Sequence, residues 1–287
     1  MKYFSFIFII CFFYACSSTK NATNSTPQKT NISKIVTKTK DTISEKVTTI
    51  DTEIKKSDSL VIDYEFKPIK DTIKKPNHDS FTKLLKKYVT NEGLVNYKSF
   101  KKEQILLQKY ISHLGEIMPT NNWTNNEKLA YWINAYNAMT IDLILRYYPL
   151  KSIKDIKKPW DKRFWKLGNK WYNLNEIEHD ILRKMNEPRI HFAIVCASYS
   201  CPKLNNIAFT SHHLNNQLTK ATKEFLSDSN RNEISKNDIK LSKIFQWFSK
   251  DFKQNGNLID FLITYSSVEI SEKAKTSFKD YNWDLNE

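Results

Sequence analysis

The sequence predicts an α+β fold, a single mostly helical domain with a small antiparallel sheet. Apolar residues recur at helical spacing in most segments beyond residue 76. The segments typical of strands come as hairpins and do not alternate with crossover helices. The last ~210 residues carry most of the aromatic side chains, and this length is enough for one domain with a hydrophobic core.

Seven helices follow from the periodicity, and the third is the best defined. Its start is a capping box, in which Thr124 is followed three residues later by Glu127, and Tyr148-Pro149 ends it. The fourth is predicted to begin at Asn175, with Glu178 three residues on. The predicted helices cover residues 80–89, 103–114, 125–147, 175–185, 211–226, 242–252 and 258–265.

Strands are predicted in three places. Gly168-Asn169 suits the two-residue type II′ turn of a hairpin within "RFWKLGNKWYNL". Residues 190–197 are largely apolar and predict a short strand, and residues 232–242 predict a second small hairpin.

The N-terminus predicts export and lipid anchoring. One basic residue precedes a short apolar run, which is typical of a secretory signal peptide over residues 1–15 and is too short to span a bilayer. The "FYAC" junction resembles a bacterial lipobox, so Cys16 would carry the acyl chains, palmitate among them, that hold the protein to a membrane. The alternative is an ordinary cleaved signal with a coincidental cysteine. Ser17, with no acidic run behind it, favours by analogy the outer membrane, facing the periplasm.

Residues 16–75 are rich in Thr, Lys, Ser and Asn, show no sustained period and are predicted to be a disordered tether. Residues 76–287 are the predicted globular domain. The formal net charge of +14 invites a nucleic-acid function. We predict no nucleic-acid partner, because an exported protein meets little nucleic acid and the lysines are interspersed with acids.

The segment "RIHFAIVCASYSCP" holds the candidate chemistry. In a regular strand His191 and Cys196 would point to opposite faces with their Cα atoms ~16 Å apart, which excludes a direct dyad between them. Cys201 lies beyond the "ASYS" turn and could act as a nucleophile if a neighbouring group favours its thiolate. Two alternatives stay open: a structural Cys196–Cys201 disulfide, and two inert buried thiols.

Glu178 and His179 are candidates because a helix running antiparallel to the strand would bring them level with His191. A carboxylate beside two imidazoles sets tautomers and raises basicity. The alternatives are a capping role for Glu178 toward Asn175 and an ordinary satisfied His179. A zinc site formed by His179, His191 and the two cysteines is a further alternative, although its spacing matches no standard finger. No motif predicts a cofactor.

Asn134 and Asn137 lie one turn apart inside an apolar helical segment, "LAYWINAYNAM". A buried amide must find hydrogen-bond partners. We expect these side chains to brace the backbone of a loop; the alternative is that one of them orients a catalytic group.

These segments together resemble the family called DUF547, a domain of unknown function. The resemblance rests on "YWINAYNA", "WYNLNEIEHDILR", "PRIHFAIVCASYSCPKL", "LSKIFQWFSKDF" and "DYNWDLN", and Asn282 stands where the family more often has an acidic residue. It implies no assigned activity, and a relationship to papain-like or transglutaminase-like enzymes is a further hypothesis. The positions that match family motifs are Asn134, Asn137, Glu178, His179, Arg183, Arg189, His191, Cys196, Cys201 and Pro202.

The leading hypothesis is therefore a lipid-anchored envelope protein that catalyses hydrolysis or acyl transfer on a peptide, glycan or small molecule. Cys201 would be the nucleophile, His191 or His179 the base and Glu178 the orienting carboxylate. Asn134, Asn137, Arg183, Arg189 and Cys196 would have supporting roles. The rival hypothesis is a non-catalytic binding or scaffold module in which the two cysteines are structural.

Overall fold

The structure is a computed structural model that describes residues 74–287. These residues belong to one compact unit. The predicted signal peptide, the lipidation site Cys16 and nearly all of the predicted tether lie outside the described residues.

Among residues 74–287, six of the seven predicted helices are α-helices in the predicted order, although the one predicted over residues 242–252 ends at Trp247; a short helix at Tyr97–Phe100 was not predicted. Within residues 74–287 no helix is both long and apolar enough to cross a membrane. The α-helices are α1 (Asp79–Tyr88), α2 (Tyr97–Phe100), α3 (Gln104–Glu116), α4 (Asn125–Tyr147), α5 (Leu214–Ser227), α6 (Lys243–Trp247) and α7 (Leu258–Tyr265).

Helix α4 is the centre of the domain. The predicted capping box is present, since the Thr124 hydroxyl accepts from the Glu127 N–H and the Glu127 carboxylate accepts from the Thr124 N–H. Every residue from Leu129 to Leu145 is buried, so the helix has no solvent-facing stripe over these turns. A helix that is buried all round lies in the interior, with the other elements packed around it.

In the described part of the chain, two small sheets complete the α+β fold. Strands β1 (Trp165–Leu167) and β2 (Lys170–Tyr172) form the predicted hairpin, and Gly168 has the positive φ of 56° that its turn requires. Strands β3 (Glu233–Ile234) and β4 (Asp238–Leu241) form the second predicted hairpin. The sequence did not predict β5 (Lys275–Phe278), which pairs in parallel with β4 and makes this sheet mixed.

Two predicted elements differ around the candidate site. Residues 190–197 are not a strand: a 3₁₀-helix covers Pro188–Phe192 and irregular backbone follows it. The expected α-helix over residues 175–185 is a π-helix at Glu176–Ile181 continued by a 3₁₀-helix at Leu182–Met185. Its start is held by Asn173, whose side chain accepts from the Glu176 N–H, so the capping role predicted for Asn175 is wrong. Such π-helical turns are frequent at functional sites.

The side chains buried among residues 74–287 form two hydrophobic clusters. The larger surrounds α4 and includes side chains from α1, α3, β1 and residues 190–209. The smaller is rich in phenylalanine and is formed by α5, α6, α7 and the mixed sheet around Phe192. The candidate site lies where the two clusters meet.

The predicted bracing by the two buried amides of α4 is confirmed. Asn137 donates to the Ala193 carbonyl at 2.9 Å and accepts from the Val195 N–H at 3.0 Å. Asn134 binds both polar groups of the Phe209 backbone, at 2.7 and 2.9 Å. The side chains thus satisfy buried irregular backbone that no helix or sheet can pair.

Replacing Asn137 by alanine should leave the Ala193 carbonyl and the Val195 N–H buried without partners. Each such group costs about 1–3 kcal/mol, so N137A should lower the free energy of unfolding by about 2–4 kcal/mol. Urea unfolding followed by circular dichroism measures this. Within residues 74–287 the Asn206 side chain makes only an exposed hydrogen bond to Asn91, and N206A should change stability by less than about 0.5 kcal/mol. Equal losses for the two variants would contradict the bracing role.

Candidate active site

A cavity of about 470 Å³ lies between the two hydrophobic clusters. The four residues predicted to be catalytic, Cys201, His191, His179 and Glu178, all line it, and so does Cys196. A larger groove of about 950 Å³ lies beside α5 and the mixed sheet, but its described lining contains neither cysteine nor histidine. The smaller cavity is therefore the candidate site.

A tight turn between the cysteines brings Cys201 back toward the start of its own loop. Ala197 has a left-handed φ of 57°, which is costly for a residue with a Cβ. The Cys196 N–H then donates to the Cys201 sulfur at 2.9 Å. The Arg231 guanidinium donates to the Cys201 carbonyl at 2.7 Å and also binds the Tyr199 carbonyl. The sulfur is thus held in place by contacts on both sides of the turn.

The C-terminal segment closes over this turn. The Tyr199 N–H donates to the Asp284 carbonyl at 2.7 Å, and Ser198 pairs with Leu285 as a short antiparallel bridge. This places the Tyr281 hydroxyl within hydrogen-bonding distance of Ser198 Oγ (2.9 Å), Cys196 Sγ (3.2 Å) and Cys201 Sγ (3.4 Å).

Both cysteines are free thiols in the structure, so the alternative of a Cys196–Cys201 disulfide is not what the structure shows. Burial by itself would raise the pKa of Cys201, which is 4 % exposed. Hydrogen bonds from the Cys196 thiol, the Tyr281 hydroxyl and the Cys196 N–H act against burial and lower the pKa of Cys201 to about 6. The pKa of Cys196 is raised, first because its thiol is hydrogen-bonded to Cys201 and also because it is desolvated. Of the two sulfurs, Cys201 is therefore the one that favours the reactive thiolate form.

An ionic chain fixes His191. Its Nε2 lies 2.8 Å from Asp251 Oδ2, and Arg183 binds both oxygens of the same carboxylate at 2.6 and 2.8 Å. The His191 ring also stacks on Phe248 with centroids 4.0 Å apart. Burial tends to raise the pKa of Asp251, but hydrogen bonds from Arg183 and His191 lower it well below its usual range, so the carboxylate is ionised.

These contacts determine which nitrogen of His191 is available. An ionised carboxylate only accepts, so Nε2 must donate to Asp251. Within residues 74–287 the other nitrogen, Nδ1, has no hydrogen-bond partner and is not among the fully buried unpaired atoms. A lone pair on the Nδ1 of a cavity-lining ring can accept a proton.

Glu178 and His179 line the same cavity but do not contact His191 in the predicted way. Glu178 accepts from the Tyr136 hydroxyl at 2.9 Å and has no hydrogen bond to an imidazole in the described part of the chain. The carboxylate that orients His191 is Asp251, and the assignment of this role to Glu178 is corrected. His179 Nδ1 accepts from Arg183 at 2.9 Å. The predicted contact fails because its register assumed a regular helix and strand, and neither exists here.

Neither imidazole is hydrogen-bonded to Cys201 among residues 74–287. The Cys201 thiol and His191 instead line the same cavity, and each is held by its own hydrogen bonds, with no direct bond between the two groups. A substrate or a water molecule between them is needed to carry a proton from one to the other.

The two predicted arginines have different roles. Arg183 belongs to the site through Asp251 and His179. Arg189 does not line the cavity: it pairs with Glu187 at 2.6 and 2.8 Å and binds Asn215 and Thr219 of α5, so its role is to hold the backbone next to His191.

The zinc alternative has no support in the described residues. No three histidine, cysteine, aspartate or glutamate side chains there are grouped closely enough to hold a metal ion. His191 is turned to Asp251 and the thiols to Tyr281, so the four proposed ligands do not converge.

Sequence reasoning missed Asp251, Tyr281 and Tyr136 as site residues. Each lies within a segment that carries the resemblance, "LSKIFQWFSKDF", "DYNWDLN" and "YWINAYNA". The sequence around Asp251 held a further signal that it is a site residue. Asp251 directly precedes Phe252, which is buried, and a charged side chain next to apolar packing needs a partner.

One part of the chain matches a known protein family. Residues 120–226 match the model of the family described as "Protein of unknown function, DUF547". This confirms the resemblance for "YWINAYNA", "WYNLNEIEHDILR" and "PRIHFAIVCASYSCPKL", whereas "LSKIFQWFSKDF" and "DYNWDLN" lie beyond the matched residues. The DUF547 region includes α4, His191 and both cysteines, whereas Asp251 and Tyr281 lie beyond it. No match was found among curated proteins or among solved structures, so the papain-like relationship stays a prediction.

Replacing Tyr281 by phenylalanine should raise the pKa of Cys201 above about 6, because the thiolate loses a hydroxyl donor. The rate of iodoacetamide alkylation at Cys201, followed against pH by peptide mass spectrometry, gives this pKa. Tyr199 is exposed, so Y199F serves as the control and should keep the wild-type midpoint. An unchanged midpoint in Y281F would show that the hydroxyl does not stabilise the thiolate.

Replacing Asp251 by asparagine should change the pH dependence of stability. The pKa of Asp251 is lower in the folded protein than its ordinary value of about 4 in the unfolded chain. Such a carboxyl stabilises the fold at pH values above about 4. This stabilisation is lost as the pH falls from about 4 through the pKa of the folded protein. D251N should therefore be less stable than wild type at neutral pH and should lose less stability between about pH 5 and pH 2. Urea unfolding across this range measures both effects. Asp284 is exposed and has no ion pair in residues 74–287, so D284N should follow the wild-type curve. Parallel curves for D251N and wild type would refute the expectation.

Proposed function

We propose that the protein is a lipid-anchored cell-envelope protein with a cysteine-dependent site for hydrolysis or acyl transfer. One observation carries the catalytic part. A thiol whose pKa is lowered to about 6 lies in a cavity that is also lined by an imidazole, with one nitrogen bound to a carboxylate and the other unpaired among residues 74–287. This supports a nucleophile and a base in one cavity.

In the proposed reaction the Cys201 thiolate attacks the carbonyl carbon of an acyl group. A carbon–sulfur bond forms, the bond from the carbonyl carbon to its oxygen or nitrogen leaving group breaks, and the leaving group takes the proton that the thiol gave to His191. A water molecule then gives its proton to His191 and its oxygen to the thioester, which releases the acid and restores the thiolate. In acyl transfer, an alcohol or amine takes the place of this water.

His191 is the better candidate for the base. Its Nδ1 is unpaired in the described chain, whereas the Nδ1 of His179 is occupied by Arg183. Asp251 holds the ring and stabilises the positive charge it acquires, as an orienting carboxylate does in a triad. Glu178 has one oxygen bound to Tyr136, which leaves the other for the substrate or the attacking water.

The anchoring part of the proposal rests on the N-terminal sequence. A short apolar signal precedes the lipobox-like Cys16, and a polar segment follows it. The membrane partner would be contacted through the acyl chains on Cys16, with the outer membrane as the proposed location. The excess of lysine suits a surface near anionic lipid or polysaccharide, and nucleic acid is not a proposed partner.

The catalytic proposal is tested with p-nitrophenyl acetate, a simple acyl ester, on the full chain. The wild type should release p-nitrophenol and carry a transient acetyl group on Cys201. C201A should show only background hydrolysis, and H191Q should be slower by about 10²–10⁴-fold, the usual contribution of a general base. Stopped-flow absorbance and peptide mass spectrometry give the two readouts.

The matched control is His212, an exposed residue outside the cavity, and H212Q should react like the wild type. Equal hydrolysis by the wild type and C201A would sink the catalytic proposal. The same would follow from a Cys196–Cys201 disulfide that survives mild reductant in the exported protein. Either result would leave the non-catalytic binding module as the better account.

A further inference from the structure

Four aromatic side chains form one wall of the cavity: Trp160, Trp247, Tyr281 and Trp283, called here the aromatic wall. The rings contact one another. Trp247 stacks with Trp283 at a centroid distance of 5.8 Å, Tyr281 lies 4.6 Å from Trp283 and 4.8 Å from Trp247, and Trp160 meets Trp283 edge to face at 5.9 Å. The Lys154 ammonium lies 4.0 Å over Trp283 and helps to fix it.

The wall is open toward the solvent. Trp247 is 46 % exposed although it belongs to a packed cluster of rings. None of the indole N–H groups of Trp160, Trp247 and Trp283 has a hydrogen-bond partner among residues 74–287. An indole N–H that packing does not use is a donor available to a ligand.

Charged groups at the same cavity extend this set. Lys158 and Asp161 line the cavity, and the side chains of both lack partners within the described chain. The 3₁₀-helix Pro159–Asp161 lies between them and carries Trp160. One wall therefore presents aromatic rings, unpaired N–H donors, one ammonium and one carboxylate.

A saccharide ring has the complementary chemistry. Its axial C–H groups form an apolar face with slightly positive hydrogens, which suits the negative face of an indole. Its edge carries hydroxyls that both donate and accept, which suits N–H groups, an ammonium and a carboxylate at once. A purely apolar ligand would leave these polar groups desolvated and unpaired. A nucleotide strand would need several cations along its phosphates, and the described lining offers Lys158 and the two histidines.

We propose that the aromatic wall is a saccharide-binding subsite and that the acyl group presented to Cys201 is carried on a sugar as an ester or amide. The second half of this statement rests on the proposed function, while the first half does not. Trp247 stacks on the sugar ring, Lys158 and Asp161 bind its hydroxyls, and Tyr281 connects the subsite to the reacting sulfur.

The test is the binding of tetra-N-acetylchitotetraose, a neutral N-acylated oligosaccharide, to the full chain. It is made on the C201S variant by isothermal titration calorimetry, so that turnover cannot interfere. The C201S protein should bind the oligosaccharide, and adding W247A should weaken binding by about tenfold or more, as expected for loss of a central aromatic contact. Because C201S lacks the readily ionised thiol on which the proposed reaction depends, binding succeeds or fails independently of the catalytic proposal.

Trp171 provides the matched control, since it is 53 % exposed and lies outside the cavity. W171A in the same C201S background should bind as tightly as C201S alone. The W247F variant keeps an aromatic ring and should bind the oligosaccharide more tightly than W247A. This difference separates loss of ring stacking from a general disturbance of the fold. Three results would overturn the proposal: no binding of the oligosaccharide, equal loss in W171A and W247A, or preferential binding of a thymidine hexanucleotide or a short acidic peptide at the wall.

Discussion

Two amide side chains of α4 supply the hydrogen bonds on which the site depends. The backbone from residue 193 to 209 is mostly buried and irregular, so its polar groups cannot pair within a helix or a sheet. Asn137 and Asn134 pair with that backbone at Ala193, Val195 and Phe209. Because α4 is buried on all sides from Leu129 to Leu145, the loop that carries both cysteines is bound to the buried centre of the domain.

The sulfur and the imidazole are stabilised by different kinds of interaction. Neutral donors, namely a thiol, a phenol and a backbone N–H, surround Cys201, and an ionic chain from Arg183 through Asp251 holds His191. A thiolate held by neutral donors does not require a protonated imidazole next to it. Under the proposed function, His191 holds the proton that Cys201 gives up and passes it to the leaving group, while the neutral donors keep the sulfur ionised near neutral pH.

The site is assembled from segments that are far apart in the chain. Tyr136, Glu178, His191 and Cys201 come from the DUF547 region, while Asp251 and Tyr281 come from the C-terminal part. The smaller hydrophobic cluster delivers Asp251 and Phe248, and pairing of the C-terminal segment with residues 198–200 delivers Tyr281 and Trp283. The aromatic wall and the thiol therefore depend on the same closure, which couples the proposed binding subsite to the proposed nucleophile.

The sequence by itself determined most of the helices, both hairpins and the four candidate catalytic residues that line the cavity. Helical periodicity, the Thr124 capping box and the Gly168 turn are local signals, and local signals survive folding. The bracing role of Asn134 and Asn137 was also predictable, because a buried amide must find partners wherever it lies. Only the tertiary structure decided that residues 188–197 form a 3₁₀-helix and a loop and that residues 176–181 form a π-helix. It also decided that Asp251 orients His191 and that Tyr281 reaches the sulfurs. These contacts join residues 60 to 85 positions apart, and no periodic pattern in a sequence records which distant side chains packing will bring together.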